Sequence, residues 1–270
     1  MIHKNGPIDI HYDLHGALGD STRPWIVFAH SLACASEMWR PQIAAFGRDY
    51  RILTFDTRGH GRSSAPAPEA DYANYHFDAL VSDVATLFDA LKIEKPDFVG
   101  LSMGGMLGQA FAIKHPGRLK SLTIADSVCE WPAGATETFA SRVAQARQGG
   151  MKEVLQGSLE RWFTPPYRQS NPAEVDAIAQ MILSTKVDGY AGCSYSIPRI
   201  NFTAALATLK TPILVMTGRH DPATTVALAE QIHRAAPGSV LNIIEGAAHL
   251  SNVEQAQAFN NAVRSFLQAS

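Results

Sequence analysis

Gly100-Leu101-Ser102-Met103-Gly104 is the segment whose residue types and spacing point most directly to chemistry. It has the pattern G-x-S-x-G, and it overlaps the end of the apolar run PDFVGLS and opens an amphipathic segment. A serine on a tight strand-to-helix turn needs small neighbours, because the chains there pass close together. Its hydroxyl then stands clear at the carboxyl end of the sheet. We predict that Ser102 is a nucleophile.

A serine hydroxyl is a poor nucleophile near neutral pH and needs an adjacent base. His249 follows the apolar run Ser239–Gly246, and Asp221 follows the apolar run Thr211–Gly218. If these runs are parallel strands, both loops lie at the same sheet edge as Ser102. We predict that His249 is the general base and that Asp221 fixes its tautomer and stabilises the imidazolium.

Other polar residues near these loops are candidates for the same roles. His220 is adjacent to Asp221, but it precedes the last strand. Asp126, at the end of LKSLTIAD, is an alternative acid, although we prefer Asp221. The simplest role for Asp56, His30 and His60 is to order loops rather than to take part in catalysis.

An acyl-transfer site also needs two donors for the oxyanion. The backbone N–H of Met103, directly after the nucleophile, is the first candidate. The second lies in the loop after the run WIVFAH, and there we choose the main-chain N–H of Leu32.

The wider pattern alternates short apolar runs with amphipathic segments, which predicts an α/β fold with a mostly parallel sheet covered on both faces. An antiparallel pair around Ile8 to Leu14 is expected to precede the parallel strands. The spacing of apolar residues predicts helices over residues 77–91, 103–115 and 253–267. The predicted parallel strands are Trp25–His30, Tyr50–Asp56, Pro96–Ser102, Leu119–Ser127, Thr211–Gly218 and Ser239–Gly246.

Residues 127–208 break this alternation, because they contain helical patterns and no convincing strand. We interpret them as a helical cap inserted into a core formed by residues 1–126 and 209–270. The segment is rich in aromatic residues and interrupted by prolines. Most of the aromatic side chains are expected to pack the cap onto the sheet. Trp131, Trp162 and Tyr195 are our candidates for substrate binding.

Composition excludes several other classes of protein. A net charge of −2 over 270 residues does not favour a nucleic-acid partner. No apolar run approaches the length needed to cross a membrane. Three widely spaced cysteines suggest neither a disulfide framework nor a metal site, so we expect a cytoplasmic protein. A monomer and a homo-oligomer both remain open.

FAHSLA, FDTRGHGRS, GLSMGG, TGRHDPAT and GAAHLSNVEQ together resemble the α/β-hydrolase superfamily, in which the triad also has the order Ser, Asp, His. More narrowly, the chain is similar to the 3-oxoadipate enol-lactonases of aromatic-compound catabolism. The segments that carry this narrower resemblance include DTRGHGRS, GLSMGGM, ERWFTP (160–165), GYAGC (189–193) and AHLSNVEQ (248–255).

The resemblance implies an α/β-hydrolase fold and a serine hydrolase that needs no metal or organic cofactor. The implied substrate is a small enol-lactone with a free carboxylate, for which Arg161 and Arg199 are candidate cations. The alternative is a carboxylesterase or lactonase for neutral esters, with perhydrolase side activity. An inactive hydrolase used as a binding module and a carbon–carbon bond hydrolase are further alternatives.

Overall fold

The computed structural model describes residues 1–269, and an eight-stranded sheet forms its centre. The strands have the order β1-β2-β4-β3-β5-β6-β7-β8. β2 pairs antiparallel with β1 and β4, whereas every pair from β4 to β8 is parallel. The strands are β1 Ile2–Asn5, β2 Ile8–Gly16, β3 Trp25–Ala29, β4 Arg51–Phe55, β5 Asp97–Leu101, β6 Ser121–Ala125, β7 Ile213–Gly218 and β8 Val240–Ile244.

Alternate residues of the strands supply two separate apolar clusters, because successive side chains of a strand point to opposite faces. Val27 and Ala29 of β3 pack into the cluster on one face, and Ile26 and Phe28 pack into the cluster on the other. The predicted sheet, covered on both faces, is therefore confirmed. All six predicted parallel strands are present, with ends within two residues of the expected ones.

The helices outside the segment between β6 and β7 cover the two faces of the sheet. α2, α3 and α10 contribute to the cluster of Val27, and α1 and α12 contribute to the cluster of Ile26. α3 is buried on all sides from Met103 to Ala112, as expected of a helix in the centre of the fold. These helices are α1 Arg40–Phe46, α2 Phe77–Ala90, α3 Met103–Lys114, α10 Val226–Ala235, α11 Ser251–Glu254 and α12 Ala256–Ala269.

The chain between β6 and β7 is helical. Between β6 and β7 the described residues contribute no strand to the central sheet. The predicted helical cap, inserted between two strands, is therefore confirmed. The boundaries 127 and 208 stay a prediction. The helices are α4 Ala135–Gly149, α5 Lys152–Trp162, α6 Pro165–Ser170, α7 Pro172–Ser184, α8 Val187–Ser196 and α9 Thr203–Leu206.

The C-terminal helix differs from its prediction. The prediction of a single helix over residues 253–267 was wrong, because α11 ends at Glu254 and α12 begins at Ala256. Gln255 between them has φ −127° and ψ 52°, which is not helical. The side chain of Glu254 is held by groups before α11, as described below, and this fixes the short helix separately from α12.

Two further features of the described residues concern membrane spans and cysteines. No helix within residues 1–269 is long and apolar enough to span a bilayer. Cys34, Cys129 and Cys193 are buried free thiols, as expected for cysteines that serve as small apolar residues.

Candidate active site

Ser102 occupies a strained turn between β5 and α3. Its backbone has φ 56° and ψ −115°, a region that residues with a side chain rarely adopt. Its N–H donates to the carbonyl oxygen of Ala125, 2.8 Å away. A Cβ on Gly100 would lie 2.1 Å from the Gly104 oxygen, and one on Gly104 would lie 2.0 Å from the Ala29 oxygen. The turn therefore needs glycine at both flanking positions.

His249 and Asp221 meet on the loops that follow β8 and β7. The distance between His249 Nδ1 and Asp221 Oδ2 is 2.7 Å. Asp221 Oδ1 also accepts from the N–H groups of Ala223 and Thr224, at 2.8 and 3.0 Å, and Oδ2 accepts from the Thr224 hydroxyl. These donors fix the carboxylate, so that it holds one edge of the imidazole and leaves Nε2 for another partner.

The ionisation of this pair follows from its contacts. Burial disfavours the charge on each group, but the ion pair and the hydrogen bonds outweigh it. The pKa of His249 is raised, because the Asp221 carboxylate stabilises the imidazolium more than burial destabilises it. The pKa of Asp221 is lowered for the reciprocal reason, with help from Thr224. The pair can thus accept and release a proton at His249 while Asp221 stays ionised.

Asp126, the alternative acid, is a fully buried residue at the end of β6 with φ 44°. Its Oδ1 accepts from the Gly218 N–H at 2.8 Å, and its Oδ2 accepts from the Ser251 hydroxyl. Burial, then the charge of Asp221, raises the pKa of Asp126 to about 8. Asp126 therefore joins the loops of Asp221 and His249, and it is mostly protonated at neutral pH.

One cavity at this sheet edge is lined by both Ser102 and His249. Its volume is about 50 Å³, so it suits a small ligand. Within residues 1–269 no hydrogen bond joins the Ser102 hydroxyl to His249, and such bonds often form only when substrate is bound. Among the described residues, no group of three or more His, Cys, Asp or Glu side chains could hold a metal ion.

The two predicted oxyanion donors lie beside this cavity. Leu32 is part of its lining, and the next residue, Ala33, has φ 59°, which turns the loop sharply. In the part of the chain described, no hydrogen bond uses the N–H of Leu32. Met103 is the first residue of α3, where a helix leaves its N–H groups without a carbonyl partner. Both groups are free to donate to a ligand, and their roles stay predictions.

The cap supplies the opposite wall of the cavity, which is aromatic and cationic. Two arginines, Arg142 of α4 and Arg161 of α5, are part of it. Within residues 1–269 neither guanidinium forms an ion pair with a carboxylate. Burial, and after it the charge of Arg142, lowers the pKa of Arg161. The cap residues of the wall are Trp131, Phe139, Arg142, Ser158, Arg161, Trp162, Tyr190 and Ile197.

Three of the four predicted substrate-binding residues, Trp131, Trp162 and Arg161, line this cavity. The Trp162 ring stacks near the ring of His249, with 6.4 Å between centroids. The indole N–H of Trp131 is buried and has no hydrogen-bond partner in residues 1–269. It is therefore a buried donor without a protein acceptor in the described part of the chain.

The structure places Tyr195 outside the lining of this cavity. Tyr195 stacks on Tyr72, with 4.4 Å between ring centroids, and lines a separate hollow on the other side of α4. Arg199, the second candidate cation, covers the Tyr195 ring at 3.6 Å and lines the same hollow. Both residues are held there by each other, so neither contributes to the cavity of Ser102.

Arg142 is the charged cavity residue that the sequence interpretation missed. It lies three residues after Phe139 on α4, and its guanidinium is 5.5 Å from the centroid of that ring. Residues three apart share one face of a helix, so the aromatic residue was the signal that could have identified the arginine.

The other loop residues considered from the sequence, His220, Asp56 and His30, are not part of the cavity lining. His220 is exposed and lines a hollow outside the cavity. Asp56 accepts from the N–H groups of Ser36 and Arg62, at 2.8 and 3.0 Å. His30 Nε2 accepts from the N–H of Thr57 at 2.9 Å.

Comparisons with known proteins agree with this architecture. Residues 24–256 match the family described as alpha/beta hydrolase fold. The chain is 34% identical to 3-oxoadipate enol-lactonase 2 of Acinetobacter baylyi, over 94% of this chain and 92% of the relative. It is 31% identical to 3-oxoadipate enol-lactonase 1 of the same organism, over 93% and 91%. The crystal structure of the enol-lactonase from Burkholderia xenovorans LB400 superposes with a TM-score of 0.93 at 33% identity, covering 99% of this chain and all of the other.

Proposed function

The chain belongs to the α/β-hydrolase family, and from that premise we propose that it hydrolyses a small enol-lactone carrying a free carboxylate, of the 3-oxoadipate enol-lactone type. The observation that carries the proposal is the pair of arginines on the cap wall. Arg142 and Arg161 line the same cavity as Ser102 and His249, and within residues 1–269 neither guanidinium is neutralised by a carboxylate. An anionic substrate would supply the missing charge.

Acylation begins when His249 Nε2 takes the proton of the Ser102 hydroxyl and the oxygen attacks the ring carbonyl carbon. The carbonyl oxygen becomes an oxyanion, for which the N–H groups of Leu32 and Met103 are the donors. The ring C–O bond then breaks. The enolate oxygen leaves, and the proton from His249 and tautomerisation convert it to a ketone. Asp221 stabilises the imidazolium between these two proton transfers.

Deacylation repeats the same sequence with water. His249, neutral again, removes a proton from a water molecule, and the hydroxide attacks the ester carbon of the acyl-enzyme. Collapse of the second tetrahedral intermediate breaks the bond to the Ser102 oxygen, which recovers its proton from His249. The product has two carboxylates, one from the substrate and one from the opened ring.

The cap, residues 127–208 in our proposal, selects the substrate. The carboxylate of the lactone lies between Arg142 and Arg161, with the indole N–H of Trp131 as a further donor. The relatives named 3-oxoadipate enol-lactonase support this substrate class, since they match over nearly their whole length. Hydrogen bonds to charged groups contribute about 1.5–3 kcal/mol each, enough to favour an anionic lactone over a neutral one.

A substrate panel tests the proposal. Purified protein and Ser102→Ala are assayed on 3-oxoadipate enol-lactone, on simple neutral lactones and on aryl esters. We expect the highest kcat/KM on the enol-lactone, and loss of turnover on every substrate in Ser102→Ala. Higher kcat/KM on neutral esters would assign the chain to the carboxylesterases instead. Turnover unaffected by Ser102→Ala would refute the serine mechanism.

A further inference from the structure

The cap segment Trp162–Thr164 and the loop of His249 are joined through one buried carboxylate, that of Glu254 in α11. Its Oε2 accepts from the Ala248 N–H at 2.8 Å. Its Oε1 accepts from the Thr164 N–H at 3.1 Å and from the Thr164 hydroxyl. Glu254 is only 6% exposed. One side chain therefore binds the residue before His249 and the segment between α5 and α6 of the cap at the same time.

A second contact holds the other side of His249. The N–H of Leu250 donates to the carbonyl oxygen of Trp162, at 3.0 Å. Both residues next to His249 are thus fixed on the segment that also carries the cavity residue Trp162. The orientation of the imidazole depends on this loop as well as on Asp221.

No cation explains the burial of Glu254. Among the ion pairs of residues 1–269, none includes this carboxylate. Its donors are N–H groups and one hydroxyl from the two segments that it joins, so it is satisfied only while those segments stay together. A buried carboxylate that loses its donors is costly.

We propose that Glu254 is a positioning residue, which holds the His249 loop against Trp162–Thr164 so that the base and this part of the cavity wall form a single unit. The inference rests on the proposed function, since it assigns Glu254 a role through His249.

The test measures the rate at which Ser102 is labelled in the molecules that are correctly folded. A fluorophosphonate probe labels an activated serine covalently. The rate constant of labelling reports how well the base is placed, and the final extent reports the folded fraction. The variants are Glu254→Gln, which replaces one acceptor oxygen by a donor, and Thr164→Val, which removes only the hydroxyl donor. Glu160→Gln, at an exposed glutamate of α5 bonded to Gln156, is the matched control.

We expect the labelling rate constant to fall about 10- to 100-fold in Glu254→Gln, because a small misplacement of a reacting group has effects of this size. Thr164→Val should show a smaller fall and Glu160→Gln none, with kcat on an aryl ester following the same order. Rate constants within threefold of wild type in Glu254→Gln, at any melting temperature, would overturn the proposal. If Glu254→Gln does not fold, an unchanged rate constant in Thr164→Val overturns it.

The same experiment separates this inference from the proposed function. If the positioning role is wrong, the wild type is still labelled at Ser102, and the Glu254 and Thr164 variants are labelled at the same rate as the wild type. Failure of the serine mechanism would instead abolish specific labelling in the wild type.

Discussion

The two walls of the cavity are built differently. The sheet-edge wall consists of loops that follow β3, β5, β7 and β8, and it carries the ion pair of His249 and Asp221, with 2.7 Å between Nδ1 and Oδ2. The cap wall carries Arg142 and Arg161, which within residues 1–269 have no carboxylate partner. The charged groups of the first wall are paired with each other, whereas the two guanidiniums of the second have no anionic partner among the described residues. The difference indicates that the sheet edge determines the reaction and the cap determines the substrate.

The largest expected effect is a difference in kcat between variants of two buried carboxylates at the sheet edge, Asp221 and Asp126. Asp221→Asn should lower kcat roughly 10⁴-fold, as the loss of the acid of such a triad does, because it removes the charge that fixes the tautomer of His249. Asp126→Asn should change kcat at pH 7 only slightly, because a side chain that is mostly protonated there is replaced by a neutral amide of the same shape.

Steady-state kinetics of both variants on one aryl ester give the comparison. Equal losses in the two variants would mean that Asp126 shares the role of the acid, and a larger loss in Asp126→Asn would reverse our assignment.

An intermediate effect is expected in the cap wall. Arg142→Met and Arg161→Met should each lower kcat/KM for the anionic enol-lactone about 10- to 100-fold, which corresponds to 1.4–2.8 kcal/mol. On a neutral aryl ester the same variants should be close to wild type. Arg199→Met is the control, because that arginine lies over Tyr195 outside the cavity. A loss of equal size on both substrates would contradict the division of labour between the walls.

The smallest effect is a shift in pH dependence. Since only the neutral imidazole accepts the serine proton, kcat/KM should fall as the pH drops through the pKa of His249. The Asp221 carboxylate raises that pKa against the effect of burial, so the midpoint should lie above about 6.5. A midpoint below about 6 in the wild type would contradict the ion pair.

The residues of the sheet-edge wall could be predicted from the sequence because each lies in or directly after a short apolar run that can be recognised by itself. A G-x-S-x-G after an apolar run predicts the turn of Ser102, and the steric limits at Gly100 and Gly104 leave little choice of backbone. The ends of parallel strands meet at one edge, so the loops of Asp221 and His249 could be placed beside it from strand order alone.

The cap wall could not be predicted to the same extent, because helix packing decides which residues face the cavity. Tyr195 and Arg161 are similar candidates in the sequence, yet α8 directs Tyr195 towards Tyr72 and away from Ser102. Glu254 depends on partners far along the chain. Its carboxylate accepts from the Thr164 N–H, 90 residues away.

The central claim is that His249 activates Ser102, and covalent labelling followed by peptide mapping tests it most directly. Wild-type protein and His249→Gln are treated with a fluorophosphonate probe, and the modified residue and the rate of its modification are measured. We predict one label per molecule on Ser102, formed about 10² to 10⁴ times more slowly in His249→Gln. Labelling of another residue, or of Ser102 at the same rate in both proteins, would contradict the claim.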